Sequence, residues 1–163
     1  MFRFINRAAW LFAMLGGFCA SLVALMTVAS IAGRSLLRQP IPGDVELTQL
    51  GIGVCISLCL PWCQVHGANI IVDFFAQKAS ARAQRVMDGV GTLLLAAMVG
   101  LLAWRTAAGA VSVGEAGETS MILGMPGWWA YAFLAPGLAL TCLVALIQSG
   151  LHFSGRDLAE LRS

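Results

Sequence analysis

A chain of 163 residues that is 59% hydrophobic and only 11% charged cannot cover a water-soluble globule, since soluble domains carry about 25% charged residues. A mean hydropathy of +0.83 points the same way. Ten Lys and Arg against eight Asp and Glu leave a net charge of +2, too little to form the basic surface that nucleic-acid binding requires.

In chain order, the first apolar stretch follows Arg3 and Arg7, and no residue from 8 to 33 is charged. A secretion signal has an apolar region of about 7–15 residues, so this longer one reads as a retained helix. Pro40, Pro42 and Gly43 then form a turn, with Asp44 as N-cap of the next helix and Glu46 in its first turn, where a carboxylate complements the helix dipole. Residues 47–65 are again free of charge. Beyond His66 and Gly67, the side chains of Ile70, Ile71, Phe74 and Phe75 share one side of a helix, opposite Asp73 and Gln77. That pattern predicts a short helix near 69–78 lying in the membrane interface. Ser80 is placed to cap the third span, where Arg105 is the single charge between Asp88 and Glu115. Trp128, Trp129 and Tyr131 mark an interface at the start of the fourth, as amphipathic aromatics do.

Crossing the hydrocarbon takes about 20 apolar residues in a helix, and only a helix satisfies its own backbone there. The expected fold is therefore all-α, a single membrane domain over 1–163 with transmembrane helices near 8–32, 45–65, 86–107 and 127–150. With that layout Arg3, Arg7, Lys78, Arg82, Arg85, Arg156 and Arg162 share one side, against Arg34, Arg38 and Arg105 on the other. The positive-inside rule places the first group, and both termini, in the cytoplasm. The basic residues also favour anionic membrane lipid.

Small residues recur at spacings of four: Ala9, Ala13, Gly17 and Ser21; Gly51, Cys55, Cys59 and Cys63; Ala96 and Gly100; Gly137, Thr141, Ala145 and Ser149. In lipid, such stripes let helix backbones approach closely. They pair within this chain or face a second protein.

The row Cys55, Cys59, Cys63 and His66 superficially resembles a metal site. Cys55 and Cys63 lie about 12 Å apart along a helix axis, whereas thiolates on one zinc ion lie within about 4 Å of each other. Packing explains the row better, because a free Cys behaves as a small hydrophobe. His66 and His152, at equivalent helix ends, raise a haem-binding redox anchor as an alternative, although polar neighbours at both positions suit solvated imidazoles. Arg105 would cost roughly 2.5–3.5 kcal/mol at the bilayer centre; beside Trp104, toward the outer end of its span, it is expected to snorkel. The sequence shows no mid-span carboxylate, no paired interrupted helices, no internal repeat and no nucleophile–base pair. Transporter cores usually carry such repeats and broken helices. The expectation is a non-enzymatic scaffold without cofactor or metal.

Two blocks carry a resemblance. One is Arg34, the Pro40-Ile41-Pro42-Gly43 turn, Glu46 and the run from Gly67 to Asp73; the other is Glu118-Thr119-Ser120, Pro126-Gly127-Trp128-Trp129, Tyr131 and Pro136-Gly137. Together they resemble the small membrane subunit, DctQ type, of tripartite ATP-independent periplasmic (TRAP) transporters, with Asn69 where that family often has His. The resemblance implies a bacterial inner-membrane symport system. In it a periplasmic substrate-binding protein and a large membrane subunit import an organic acid with sodium, and the small subunit supports the large one. Arg34, Glu46, Trp128, Trp129 and Tyr131 are the assembly candidates, with Gly17 and Gly137 standing for the small-residue stripes. A free-standing tetraspan protein is the third reading.

Overall fold

The computed structural model describes residues 2–38, 41–67 and 81–154. They form four helices: α1 (Phe2–Leu37), α2 (Asp44–His66), α3 (Ala81–Ala116) and α4 (Trp128–Ser154). Each is long and apolar enough to cross a membrane, and the chain is a multi-pass membrane protein. Among the described residues there is no strand, and the isolated pairing of Thr119 with Pro126 is a loop feature. The interfacial helix expected near 69–78, and the Ser80 cap, lie outside the described residues.

The helix ends differ from those that hydropathy suggests. Apolarity stops at the first charge, but backbone hydrogen bonding does not: α1 starts at Phe2, and α3 runs on through Arg105 to Ala116. Its last turns are rich in Ala, the best helix former. At 36 residues each, α1 and α3 are about 54 Å long, against a hydrocarbon thickness of about 30 Å. The helices stop where the backbone turns left-handed, α2 at Gly67 (φ 64°) and α3 at Gly117 (φ 66°). The Gly67 N–H closes α2 by donating to the Cys63 and Gln64 carbonyls.

Helices α1 and α2 form one antiparallel hairpin, and α3 and α4 another. The hairpins join through α2 and α4, which run parallel, so the spatial order is α1–α2–α4–α3. Contact between α1 and α4 is slight, and α3 packs on α4. The result is an open row with α1 and α3 at its edges. One end carries the turn at Pro42 and Gly43 and the 117–127 loop, here called the hairpin end. The other carries Phe2, His66, Ala81 and Ser154, the terminal end.

The stripe proposed on α1 does not hold as a contact. A spacing of four turns about 40° further at each step, so Ala9 is buried while Gly17 and Ser21 face outward. The seam that α1 does use alternates steps of four and three: Ile5, Ala9, Phe12, Gly16, Cys19, Val23, Met26 and Ser30. That alternation keeps one face toward a neighbour along the whole helix. A Cβ on Gly16 would stand 2.8 Å from the Cys59 sulfur, and one on Gly51 would collide with Val23. On α4 the same drift is put to use. Gly137 sits against Ser57 of α2, whereas Ser149, further round the helix, donates to the Gly89 carbonyl of α3 at 3.1 Å. All four residues of that stripe are buried.

Polar groups lock the central pair. Pro61 lacks an N–H, so it offers no intrahelical donor to the Ser57 carbonyl, and Gly137 lets α4 come up against that carbonyl. The Ser57 hydroxyl donates to the Leu134 carbonyl at 2.6 Å. Nearer the terminal end, the Gln64 amide donates to the Gln148 side-chain oxygen at 2.6 Å, and the Gln148 amide returns a bond to the Gln64 carbonyl at 2.7 Å. A small apolar cluster of Ile5, Ala9, Val65 and Val144, flanked by Trp62 and Ile147, closes that end.

Candidate functional site

The assembly candidates Arg34, Glu46 and the aromatic belt gather at the hairpin end. Gly43, in the left-handed region at φ 75°, is the N-cap of α2 and supplies no side-chain bond; Asp44 is the first helical residue rather than the cap. Its carboxylate faces α1 instead, accepting from the Ser30 hydroxyl at 2.5 Å and from Arg34 at 3.3 Å. Ser30 is buried and Arg34 mostly exposed. Arg34 is therefore already held by its own chain, in a surface ion pair of the kind that contributes little.

Glu46 reaches across 76 residues of sequence. Its two oxygens accept the backbone N–H groups of Ile122 and Leu123, at 3.0 and 3.3 Å. These belong to a tight turn in which the Ser120 N–H donates to the Met125 carbonyl and the Gly127 N–H to the Glu118 carbonyl, both at 2.8 Å. Leu123 packs on Gly43, where any Cβ would collide with it. Glu46 thus fixes the 117–127 loop to the start of α2. A cleft of about 330 Å³ remains beneath the loop, lined by Glu46, Leu50, Gly53, Met125, Pro126 and Leu134.

Trp128 and Trp129 stand edge to face with ring centroids 6.2 Å apart, and Trp129 repeats this with Phe133 at 6.4 Å. Trp128 lies over Gly114 of α3, and Tyr131 over Gly109. Both aromatics pack the second hairpin and leave about two-fifths of their surface exposed. The polar clasps and aromatic packing hold the turn, the loop and the helix starts in a fixed arrangement.

Residues 23–154 match the model of the family described as tripartite ATP-independent periplasmic transporters, DctQ component. The chain belongs to the DctQ family. Its members are transporter components rather than enzymes, and the match covers α2, α3 and α4 together with the part of α1 from residue 23 onward. No curated protein and no solved structure matches the chain.

In this DctQ chain the two glycine candidates part company. A Cβ on Gly17 would meet nothing within 4 Å, whereas one on Gly137 would meet the Ser57 backbone and hydroxyl. Gly137 serves the chain's own fold; Gly17 is free to serve something else. The thiols of Cys55, Cys59 and Cys63 are free and partly buried, and among the described residues no group of three His, Cys, Asp or Glu could hold a metal ion. The His66 ring stacks on Trp62 with centroids 4.0 Å apart, its Nδ1 3.1 Å from the Trp62 carbonyl. The Cβ of His152 lies toward Gly89 of α3.

The antiparallel register sets Gly100 beside Cys142 and Gly109 beside Tyr131, so Arg105 lies at about the height of Pro136. Gly137 in turn abuts Ser57, thirteen residues into the 23-residue α2. Arg105 therefore lies one helical turn from the level of Tyr131, and its side chain is exposed.

Sequence reasoning missed Ser30, Asp44 as an anion and the Gln64–Gln148 pair. Two glutamines inside otherwise apolar helices were the available signal, because a buried amide in lipid needs a partner.

Proposed function

We propose that this chain is the scaffold subunit of a TRAP importer in the bacterial inner membrane. There it supports a large membrane subunit that takes up an organic acid with sodium, delivered by a periplasmic binding protein. The observation that carries this reading is the open row of helices, whose edges leave long apolar faces uncovered by the other described residues. Such faces are covered by lipid or by another membrane protein, and the family supplies the second kind of neighbour. The clasps at Asp44 and Glu46 hold both connections of the hairpin end in place against that neighbour.

In this arrangement both termini and Lys78 face the cytoplasm, and Pro42 and Gly117 face the periplasm, following the seven-to-three division of basic residues. Reporter fusions at these places test the orientation. The function is tested by producing the chain with its large subunit, reconstituting both with the binding protein, and measuring organic-acid uptake against sodium concentration. Omitting the chain should abolish uptake, whereas Glu46→Gln should alter its rate without changing the number of coupled sodium ions. A change in that number would make the chain part of the coupling site and remove the scaffold reading.

A further inference from the structure

We infer that the hairpin-end half of the first hairpin is a hinged arm, which swings about Gly16-Gly17 of α1 and the Ser57–Pro61 turn of α2 and is latched by Glu46. Both helices of this hairpin are weakened at one level. A Cβ on Gly16 would lie 3.2 Å from the Cys55 carbonyl and 2.8 Å from the Cys59 sulfur, so the paired glycines stand beside Ser57. Pro61 leaves the Ser57 carbonyl without its intrahelical donor. Sharp bends in helices occur at prolines and at pairs of small residues. Close packing accounts for Gly16, but a Cβ on Gly17 would meet nothing within 4 Å, so packing inside the chain does not explain the second glycine of the pair. The second hairpin lacks such a break. Its α3 contains neither a proline nor adjacent glycines, and it packs on α4 on both sides of Pro136, at Tyr131 and at Cys142.

The two sides of the pivot are built differently. Toward the terminal end the hairpins are fastened by the Gln64–Gln148 pair and by the cluster of Ile5, Ala9, Val65 and Val144. At the pivot the Ser57 hydroxyl holds the Leu134 carbonyl. Toward the hairpin end, α2 and the second hairpin part around the cleft of about 330 Å³, with Gln49, Leu50 and Gly53 on one wall and Met125, Ala130 and Leu134 on the other. Beyond it Glu46 accepts from Ile122 and Leu123, and Leu123 is seated on Gly43. The arm moves as one body, because Asp44 accepts from Ser30 and Arg34 while Val23 packs into the gap at Gly51. A pivot at one end, open space alongside and a polar bond to the opposite wall at the tip are the parts of a latch. From Ser57 to Asp44 the arm is about 20 Å long, so a bend of about 20° carries its tip some 6 Å. That distance separates Glu46 from both N–H groups.

The full chain in lipid nanodiscs tests this with no partner present, so the outcome is independent of the transporter reading. Spin-label amino acids are introduced in pairs at exposed positions, Val45 with Val111 across the hairpin end and Phe4 with Val86 across the terminal end. Double electron–electron resonance then gives a distance distribution for each pair. In the otherwise unaltered chain both should be narrow. Glu46→Ala should about double the width for Val45 with Val111 and shift its mean outward, leaving Phe4 with Val86 unchanged. Glu46→Gln, which keeps one acceptor oxygen, should widen it less. Adding Gly17→Ala and Pro61→Ala to Glu46→Ala should restore the narrow distribution, since both strengthen the helices at the pivot. A hairpin-end distribution already broad with Glu46 in place, or unchanged in Glu46→Ala, would overturn the latch. Equal widening at both ends would mean that whole hairpins loosen and no arm exists. Widening that survives the added substitutions would remove the pivot from Gly17 and Pro61.

Discussion

Helices α1 and α3 each run for 36 residues along an edge of the row, and each gives one face to the helix that follows it. Their contact faces are built alike, with glycines where backbones or sulfur come close: Gly16 opposite Cys59, and Gly100 opposite Cys142. The free faces differ. That of α1 carries Leu11, Leu15, Phe18, Leu22 and Leu25 without a charge, whereas that of α3 carries Arg105 among Leu94, Met98 and Leu101. Packing inside the chain imposes similar chemistry on both helices, so what distinguishes them reports on what lies outside. The α1 edge is uncharged across its span, and the α3 edge carries one arginine near the level of Tyr131.

Substitutions that separate internal from external roles sharpen this contrast. The largest effect belongs to Gly137→Leu, because α4 would be driven off the Ser57 backbone, a rigid obstacle. A loss of about 3 kcal/mol or more is expected, read as a lower midpoint of thermal unfolding in detergent and less chain in the membrane. Gly17→Leu on the outward face of α1 should leave that midpoint unchanged. If both variants unfold alike, the α1 face is not free and the contrast between the edges fails.

Gln148→Leu comes next. It withdraws both the acceptor and the donor that Gln148 offers to Gln64 and its carbonyl, with an expected cost of about 1–2 kcal/mol. The double change Gln64→Leu with Gln148→Leu should recover part of it, since two apolar side chains leave no amide to satisfy. A double variant no better than the single one would show that the pair is not the connection between the hairpins.

Glu46→Gln should be milder. An amide has one acceptor oxygen where the carboxylate has two, so either Ile122 or Leu123 loses its bond. Protease cleavage near Gly124 should then quicken severalfold while the midpoint stays put. Smallest of all is the joint change of Cys55, Cys59 and Cys63 to Ala, which should leave the unfolding midpoint and transport close to those of the unaltered chain. Metal analysis and the visible spectrum of the purified chain accompany it. A stoichiometric metal, or a Soret band lost with His66→Ala, would move the protein to a redox class.

The spans themselves were legible in the sequence, because charge is so sparse that hydropathy alone separates four helices. Their lengths were not. Hydropathy registers the solvent a residue prefers, whereas Arg7, Thr106 and Ser112 continue a helix regardless of what surrounds it. Spacings of four looked like contact faces, yet the real α1 seam alternates four and three, and choosing between them needs the partner helix. Glu46 was recognisable as an unusual carboxylate. Its acceptor role depended on a loop 76 residues away, a distance over which no local pattern carries information.

The glutamine pair also sets a schedule for the growing chain. Gln64 and Gln148 are 84 residues apart, and synthesis at about 5–20 residues per second puts roughly four to seventeen seconds between them. During that interval the first hairpin can be complete at its Ser30–Asp44 clasp while its inner helix still awaits Gln148. Until then the Gln64 side chain lacks the bond to Gln148 that it has in the finished bundle. The two hairpins are joined at this point only once the last helix has been made.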